Sequence, residues 1–257
     1  MSLRWADYRP PAGSRAPSGR TPPGTVVYAI GDIHGRCDLL EAIQRGIAVD
    51  AKLRPARRRV IVYLGDYISR GVDSRQVVEM VRGHHLDGCE VVTLKGNHED
   101  LLLRYLGGDL GAAKHWFDYD GLDALSDFGV ETLDCQARDD ATVELLRRRF
   151  AAALTPWELE FFRGLRVSHC EGSYHFVHAG VRPGVALDSQ ADHDQMWIRG
   201  RFLNSGDDHG ATVIHGHSIA AEPEIRANRI GIDTGAYRSG VLTCLVLDGT
   251  ERAFLQT

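Results

Sequence analysis

A series of short apolar runs between Val26 and Glu99 limits the possible folds more than any other feature of the sequence. VVYAI, RRVIVYLGD and EVVTLKGNHE are rich in β-branched residues, and each is followed by a stretch with helical spacing. Because these runs are apolar on both faces, they predict buried parallel strands. Right-handed crossovers place the carboxyl ends of such strands at one sheet edge, where ligands collect. The sequence therefore predicts an α/β fold with a functional edge.

The rest of the chain divides into a helical part and a second set of strands. Residues 101–166 lack a strand pattern and are predicted to be a helical insertion, in which Thr155 caps a helix that begins at Pro156. The aromatic residues of this insertion are predicted to form helix core. Strands resume in SYHFVHAG, ATVIHGHS, RIGIDTG and GVLTCLVLDG, which predicts a second sheet and a single domain over residues 25–257. His84 and His85 are predicted to end a helix of the first half.

Composition and the first residues exclude several classes of protein. Residues 1–24 contain five prolines and no apolar signal-peptide core, which predicts a disordered N-terminal arm and a cytoplasmic location. A net charge of −5 gives no basic field for a nucleic acid duplex, and no apolar run approaches the roughly 18 residues of a membrane span. The five cysteines contain no C-x-x-C pair, which argues against a structural zinc site. A small-molecule or peptide substrate fits this composition better, and the oligomeric state stays open.

Five predicted strands end in side chains that bind metal ions. These side chains are Asp32 and His34, Asp66, Asn97 and His98, His178, and His217. One such residue is more often a helix cap or a loop residue, but five strand ends together predict a metal site. Mixed carboxylate, imidazole and amide ligands favour Mn²⁺, Fe or Zn²⁺, and their number exceeds the needs of one tetrahedral zinc ion. The sequence therefore predicts two divalent metal ions, an arrangement suited to displacement at phosphorus.

The order and spacing of five motifs resemble those of a known family. The motifs are Gly31-Asp32-Ile33-His34-Gly35, Gly65-Asp66 through Arg70-Gly71, Gly96-Asn97-His98-Glu99, His178-Ala179-Gly180 and Gly216-His217-Ser218. From Val26 to Leu255 the chain resembles the phosphoprotein phosphatases of the calcineurin-like metallophosphoesterase superfamily, in their bacterial serine/threonine phosphatase form. The resemblance implies two mixed β-sheets in a sandwich flanked by helices, and two divalent ions, Mn²⁺ first among them.

The resemblance also implies a role for each motif residue. Asp32 and His34 would bind the first metal and Asp66 would bridge both, while Asn97, His178 and His217 would bind the second. In that family a bridging hydroxide attacks phosphorus directly, and His98 would protonate the leaving oxygen. Substrate would be bound by Arg70, Asn97 and His98, with Arg199 as a second guanidinium and Arg201 as a near-equal alternative to it.

One position departs from the family pattern. Ser69 stands where a second aspartate is expected, and that aspartate usually orients the catalytic histidine and favours its protonated form. We therefore expect a weaker general acid at His98, with Asp73 as a less favoured substitute for the missing carboxylate. His215 shares strand parity with His217 and is a further candidate for a supporting role behind the metal ligands.

Three functions remain open from the sequence. The first is hydrolysis of phosphate monoesters, with phosphoserine and phosphothreonine proteins as the substrate class that the resemblance implies. The second is hydrolysis of a dinucleoside polyphosphate such as diadenosine tetraphosphate, because the same two-metal site opens phosphoanhydrides. The third is a weakened, phosphate-binding protein without turnover, which only Ser69 supports.

Overall fold

The computed structural model describes residues 3–13, 15–83, 88–132 and 139–257. Within these ranges one sheet contains six strands in the order β1-β11-β10-β2-β3-β4. The strands are β1 (Arg4–Ala6), β2 (Thr25–Ile30), β3 (Arg58–Tyr63), β4 (Cys89–Thr93), β10 (Thr243–Asp248) and β11 (Glu251–Gln256). β2, β3 and β4 are parallel to one another, whereas β10 runs antiparallel to both β2 and β11. The parallel series predicted from the apolar runs is therefore present.

A second described sheet packs on the first. Its five strands, in the order β5-β6-β7-β9-β8, are β5 (Ser168–Glu171), β6 (Tyr174–Val177), β7 (Thr212–His215), β8 (Glu224–Ile225) and β9 (Arg229–Gly231). Phe176 and Ile214 of this sheet share a buried apolar cluster with Val27 and Val60 of the first sheet. Because Tyr28 and Ile30 point to the opposite face and pack against helices, β2 is buried on both sides, which explains its uninterrupted apolar sequence.

Helices cover the outer face of the first sheet and fill the middle of the chain. They are α1 (Cys37–Leu53), α2 (Ser74–Gly83), α3 (Asn97–Leu106), α4 (Leu110–Phe117), α5 (Gly121–Asp127), α6 (Asp140–Ala153), α7 (Pro156–Gly164), α8 (Asp192–Trp197), α9 (Gly200–Leu203) and α10 (Ala236–Ser239). Thr155 caps α7, with Oγ1 accepting a hydrogen bond from the Glu158 amide. The predicted α/β fold, with two mixed sheets and a helical insertion, is confirmed. His84 and His85 lie outside the described residues.

The N-terminal segment differs from the disordered arm that the sequence predicts. In the described part of residues 1–24, β1 pairs antiparallel with β11, and the Tyr8 ring contacts Phe254 at a centroid distance of 5.3 Å. The Arg252 guanidinium donates to the carbonyl oxygens of Pro17 and Gly19 at 2.8 and 3.0 Å. Proline lacks an amide hydrogen but keeps a carbonyl oxygen, so Pro17 can accept such a hydrogen bond although it can donate none.

Across the described ranges, no helix combines the length and the apolar character that crossing a bilayer requires.

Candidate metal and phosphate site

The predicted ligands meet at one edge of the sandwich. Asp32 and Asp66 follow parallel strands of the first sheet, and His178 and His217 follow parallel strands of the second. Asp32, Asp66 and His217 line a cavity of about 440 Å³, and His178, outside its described lining, places Nε2 3.5 Å from Oδ2 of Asp66. The cavity lining consists of Asp32, His34, Asp66, Arg70, Asn97, His98, His115, Tyr119, Trp197, Arg199, His217, Ile219 and Asp233. The carboxyl ends of both sheets therefore contribute to one site, as the strand pattern predicts.

Left-handed backbone is concentrated in this site. Five residues here are non-glycine and have a positive φ: His34 (+46°), Asp66 (+53°), Ser69 (+70°), Arg70 (+70°) and His217 (+62°). Only one further described non-glycine residue, Asp120, shares this conformation. Such backbone costs of order 1–3 kcal/mol per residue and persists where surrounding contacts hold it. Asp66 shows these contacts, because its amide donates to the buried Glu99 carboxylate at 2.9 Å.

Two imidazoles present unprotonated nitrogens to the Asp66 carboxylate. Nδ1 of His34 lies 2.9 Å from the Ile68 carbonyl oxygen, and Nδ1 of His178 lies 2.8 Å from that of Leu64. A carbonyl oxygen only accepts, so both Nδ1 atoms carry the proton and both Nε2 atoms hold a lone pair. These Nε2 atoms lie 3.4 and 3.5 Å from the same oxygen, Oδ2 of Asp66. Two imidazole nitrogens and one carboxylate oxygen therefore meet with no proton between them. Such atoms are the ligands that a divalent cation binds.

A second part of the site joins the two sheets. The His217 amide donates to both oxygens of Asp32, at 3.2 and 2.9 Å, while Nε2 of the His217 ring has no hydrogen-bond partner among the described residues. A Cβ added at Gly216 would collide with the Asp32 carboxylate, so the close approach requires glycine there. Asn97 Oδ1 lies 3.0 Å from Nε2 of His178. The predicted ligands of both metals are thus brought together.

Electrostatics also favour a cation here. Burial raises the pKa of Asp66 to about 7, and burial followed by the charges of Asp233 and Asp66 raises the pKa of Asp32 well above its usual range. Burial lowers the pKa of His34 to about 3 and that of His178 to about 4. Buried carboxylates beside neutral imidazoles are electrostatically unfavourable without a countercharge, and divalent ions would supply it. The residues present therefore fit a metal centre.

The structure brings together two groups of side chains that could each hold a metal ion, and both groups include Asp66. His34, Asp66 and His98 offer ligand atoms within 4.8 Å of one another, and so do Asp66, His178 and His217. The first group adds His98 to the predicted ligands His34 and Asp66, and the second contains Asp66 with two predicted ligands of the second metal. The His98 amide donates to Oδ1 of Asp66 at 3.2 Å, and its ring lies 4.8 Å from that of His34.

The hydrogen bonds of Ser69 are made with residues other than His98. Its hydroxyl accepts a hydrogen bond from Nε1 of Trp116 at 3.0 Å, and its amide donates to the Ser74 hydroxyl at 3.1 Å. Nδ1 of His98 is buried and has no partner in the described part of the chain. Burial, followed by the charges of His34 and Arg70, lowers the pKa of His98 well below its usual range. The carboxylate support that the family pattern would supply at position 69 is therefore missing.

The two predicted phosphate-binding arginines both line the cavity. Arg70 donates to the Tyr237 hydroxyl at 2.7 Å, and its guanidinium lies 4.8 Å from the centroid of that ring. Arg199 lies between α8 and α9 and is exposed at the cavity wall. Arg201, the alternative to Arg199, is not part of the described lining. The cavity therefore combines an acidic floor with two guanidinium groups.

The remaining candidate, His215, lies behind the cavity. Its ring packs against Phe202 at a centroid distance of 5.1 Å, and Nδ1 lies 3.0 Å from the Gly216 carbonyl oxygen. A Cβ at Gly231 would meet this ring, so β9 crosses directly over it. His215 is absent from the described lining, and a supporting role for it stays a prediction.

Sequence reasoning missed Asp233 and three aromatic lining residues. Asp233 is buried, accepts a hydrogen bond from the Gly235 amide at 2.9 Å, and lies beside Asp32. It follows β9 just as the predicted ligands follow their strands, and this strand-end position was the available signal. His115 and Tyr119 lie in the insertion and Trp197 lies at the end of α8, and only the folded chain brings these rings together at the cavity.

Comparisons with known proteins agree on the class of chemistry and differ on the substrate. Serine/threonine-protein phosphatase 2 of Salmonella typhimurium is 27% identical over 228 residues, 84% of this chain and 90% of the relative. The asymmetrical bis(5'-nucleosyl)-tetraphosphatase PrpE of Anoxybacillus flavithermus is 24% identical, with 84% and 88% covered. The symmetrical bis(5'-nucleosyl)-tetraphosphatase of Dechloromonas aromatica is 30% identical over 158 residues, and this chain spans only 45% of its length.

Solved structures agree on the fold. A Shewanella cold-active protein tyrosine phosphatase superposes with a TM-score of 0.54 at 18% identity, covering 89% of this chain and 78% of the other. A protein proposed to be a diadenosine tetraphosphatase superposes with a TM-score of 0.57 at 20% identity, covering 89% and 93%. Residues 25–222 match the family model for calcineurin-like phosphoesterases. The chain therefore belongs to the calcineurin-like phosphoesterase family.

Proposed function

We propose that this chain hydrolyses phosphate monoesters with two divalent metal ions, Mn²⁺ first among them, and that phosphoserine and phosphothreonine proteins are its substrate class. The observation that carries the proposal is the oxygen Oδ2 of Asp66, which faces two unprotonated imidazole nitrogens in a cavity that also holds Arg70 and Arg199. The Salmonella phosphatase, which is similar along 84% of this chain, supports the substrate class.

The ligand groups would divide between the two ions as the resemblance implies. Asp32, His34, Asp66, Asn97, His178 and His217 would hold them. A pair of divalent ions supplies Lewis acidity and a nucleophile at neutral pH. Asp66 is the residue common to both described ligand groups, which supports its role as the bridge.

The other residues of the site would bind the phosphoryl group and handle the leaving group. Arg70 is held by Tyr237, so its guanidinium reaches the cavity in a fixed orientation and can bind two phosphoryl oxygens. Arg199 would contribute a second guanidinium from the segment between α8 and α9. The His98 ring lines the cavity and would transfer a proton from a ring nitrogen to the leaving oxygen.

A second candidate is the hydrolysis of a dinucleoside polyphosphate. Two of the relatives described above carry that activity in their names, and one of them is similar over 84% of this chain. The same carboxylates, imidazoles and arginines would act on a phosphoanhydride, so the walls of the cavity would select the substrate. A phosphate-binding protein without turnover is the third reading, and it predicts bound metal with no hydrolysis of any phosphoester.

The deciding experiment compares two substrates. Phosphate release from a phosphothreonine peptide and cleavage of diadenosine tetraphosphate are measured with Mn²⁺-loaded protein, with His98→Ala, and with the control variant His209→Ala, which changes a histidine outside the cavity lining. Preference for the peptide, lost in His98→Ala but not in the control, supports the proposal. Preference for the dinucleotide by orders of magnitude replaces it with the second candidate. Metal content without turnover of either substrate would establish the third.

A further inference from the structure

One wall of the catalytic cavity is built from aromatic rings. We call His115, Tyr119 and Trp197 the aromatic wall; all three line the cavity. The His115 ring lies 5.1 Å from the ring of Tyr119 and 5.7 Å from that of Trp197, measured between centroids. The wall thus joins the insertion to the end of α8 and forms a continuous row of rings.

Two rings of the wall, His115 and Tyr119, are exposed, whereas Trp197 is partly buried and packs against the core. Trp116 and Phe117, which lie in the same segment as His115, are 0% and 6% exposed, whereas Tyr119 is 42% exposed. The fold therefore directs one set of rings into the core and leaves the other set open to the cavity. Exposed aromatic rings grouped in a concave site are typical of ligand-binding surfaces.

The wall begins beside the reaction centre. The Tyr119 ring centroid lies 6.5 Å from that of His98, and Trp197 precedes Arg199 by two residues. A phosphoryl group bound at Arg70 and Arg199 would therefore have Tyr119 on the side of His98 and Trp197 on the side of Arg199. A group attached to the phosphorus can contact these rings.

We propose that the aromatic wall binds a flat ring carried by the substrate next to its phosphoryl group. This inference rests on the proposed phosphoester hydrolysis but departs from the phosphoserine and phosphothreonine class, because it predicts that ring-bearing phosphates bind more tightly than either. Aromatic side chains offer π faces and edges that a planar ring contacts favourably. The ring has two sources: the phenol ring of a phosphotyrosine, which would reach Tyr119, or a nucleobase, which would reach Trp197.

Binding of matched ligands tests the wall without turnover. The dissociation constants of phenylphosphonate and methylphosphonate are measured by calorimetry, because neither can be hydrolysed at its carbon–phosphorus bond. Adenosine 5'-phosphate and ribose 5-phosphate are compared by calorimetry in parallel, with the His98→Ala variant so that turnover of these two esters is suppressed. We expect the ring-bearing member of at least one pair to bind about tenfold more tightly, and Tyr119→Ala or Trp197→Ala to abolish that preference. Trp5→Ala, which removes an exposed aromatic ring outside the cavity lining, should leave the preference unchanged.

The outcomes separate the wall from the hydrolysis and one source from the other. A phenyl preference lost in Tyr119→Ala assigns the wall to aryl phosphates, and an adenosine preference lost in Trp197→Ala assigns it to nucleotides. Equal binding within both pairs overturns the inference even if a phosphothreonine peptide is hydrolysed. A ring preference in a protein that hydrolyses no phosphoester would keep the wall and refute the proposed function.

Discussion

Asp66 is the residue on which both candidate metal groups depend. Since His34, His98, His178 and His217 all place ligand atoms near its carboxylate, replacing Asp66 by Asn should weaken both groups at once. We expect Asp66→Asn to retain at most one Mn²⁺ per chain after dialysis, where the parent retains two, and to lose at least about 100-fold in kcat. Metal analysis and phosphate release measure these quantities. Asp188→Asn, at an exposed position, is the control; unchanged metal content in Asp66→Asn would contradict the assignment.

Ser69 gives a second prediction at the same scale. Replacing Ser69 by Asp restores the carboxylate that the family pattern has at this position, and Nδ1 of His98 is a buried nitrogen without a described partner. If the carboxylate reaches that nitrogen, it favours protonated imidazole and strengthens the general acid. Turnover of a phosphoserine peptide, which has a poor leaving group, should rise about tenfold more than turnover of p-nitrophenyl phosphate.

The matched control for this change is Ser69→Asn. It offers the Trp116 indole an acceptor of similar size without adding charge, so it should leave the ratio of the two turnovers unchanged. An equal effect of Ser69→Asp on both substrates, or no effect, would refute the idea.

Sequence reasoning located the cavity carboxylates that follow strong strands and missed Asp233, which follows a weak strand. Asp32 and Asp66 follow six-residue strands with uninterrupted apolar stretches, which are visible without a structure. Asp233 follows β9, a strand of only three residues whose place in the sheet depends on β7 and β8. The sequence alone does not contain that pairing, so it could not show that Asp233 lies beside Asp32.

At the scale of elements, a buried ion pair connects α2 with the insertion. The Arg75 guanidinium donates to the Glu158 carboxylate at 2.6 and 3.2 Å, and the Glu158 side chain is 0% exposed while that of Arg75 is 34% exposed. Arg75→Met would leave a buried carboxylate without its cation. We expect the free energy of unfolding to fall by about 2 kcal/mol, less than for a fully buried pair because water reaches the arginine.

Urea unfolding of a double-mutant cycle measures this coupling. Glu158→Gln keeps an acceptor for the Thr155 amide, so the double variant should lose less stability than the sum of the single variants. Arg45→Met, which breaks an exposed pair with Glu41, is the control and should change stability by less than about 0.5 kcal/mol. Additive effects of Arg75→Met and Glu158→Gln would show that the pair is not coupled.

Elements with local signals were predictable, and those with distant partners were not. The capping box of Thr155 and Glu158 can be recognised from the local sequence, because both partners lie within one helical turn. β1 has three residues, and its register pairs Arg4 with Gln256 at the far end of the printed sequence. Nothing in the local pattern of a proline-rich segment reports such a partner, which is why disorder was expected there.

For the whole molecule, the buried acids predict how stability depends on pH when metal is removed. Burial raises the pKa of Asp66 to about 7, and burial followed by the charge of Asp66 raises the pKa of Glu99 to about 8. The folded chain then holds protons that the unfolded chain has already released, so its stability falls as pH rises towards these values. Buried histidines act in the opposite direction, but only below about pH 6.5, where unfolded histidines bind protons.

Between about pH 6.5 and 8 the carboxyl groups therefore dominate. We expect the chelator-treated protein to lose on the order of 1–2 kcal/mol of unfolding free energy across this range. Saturating Mn²⁺ should flatten the profile, because bound cations replace the protons. Urea unfolding at four pH values, with and without Mn²⁺, measures both profiles, and stability that rises with pH in the metal-free protein would contradict the prediction.

The order of strands in the first sheet has a consequence for how the molecule is made. β2 lies early in the sequence, yet one of its two neighbours in the sheet is β10. A ribosome synthesises β10 only after the insertion and the whole second sheet. Nascent chains would therefore carry an unpaired apolar strand edge for most of synthesis. Such non-local pairing slows folding and exposes surface that aggregates, so this chain should depend on chaperones more than a helical protein of equal length does.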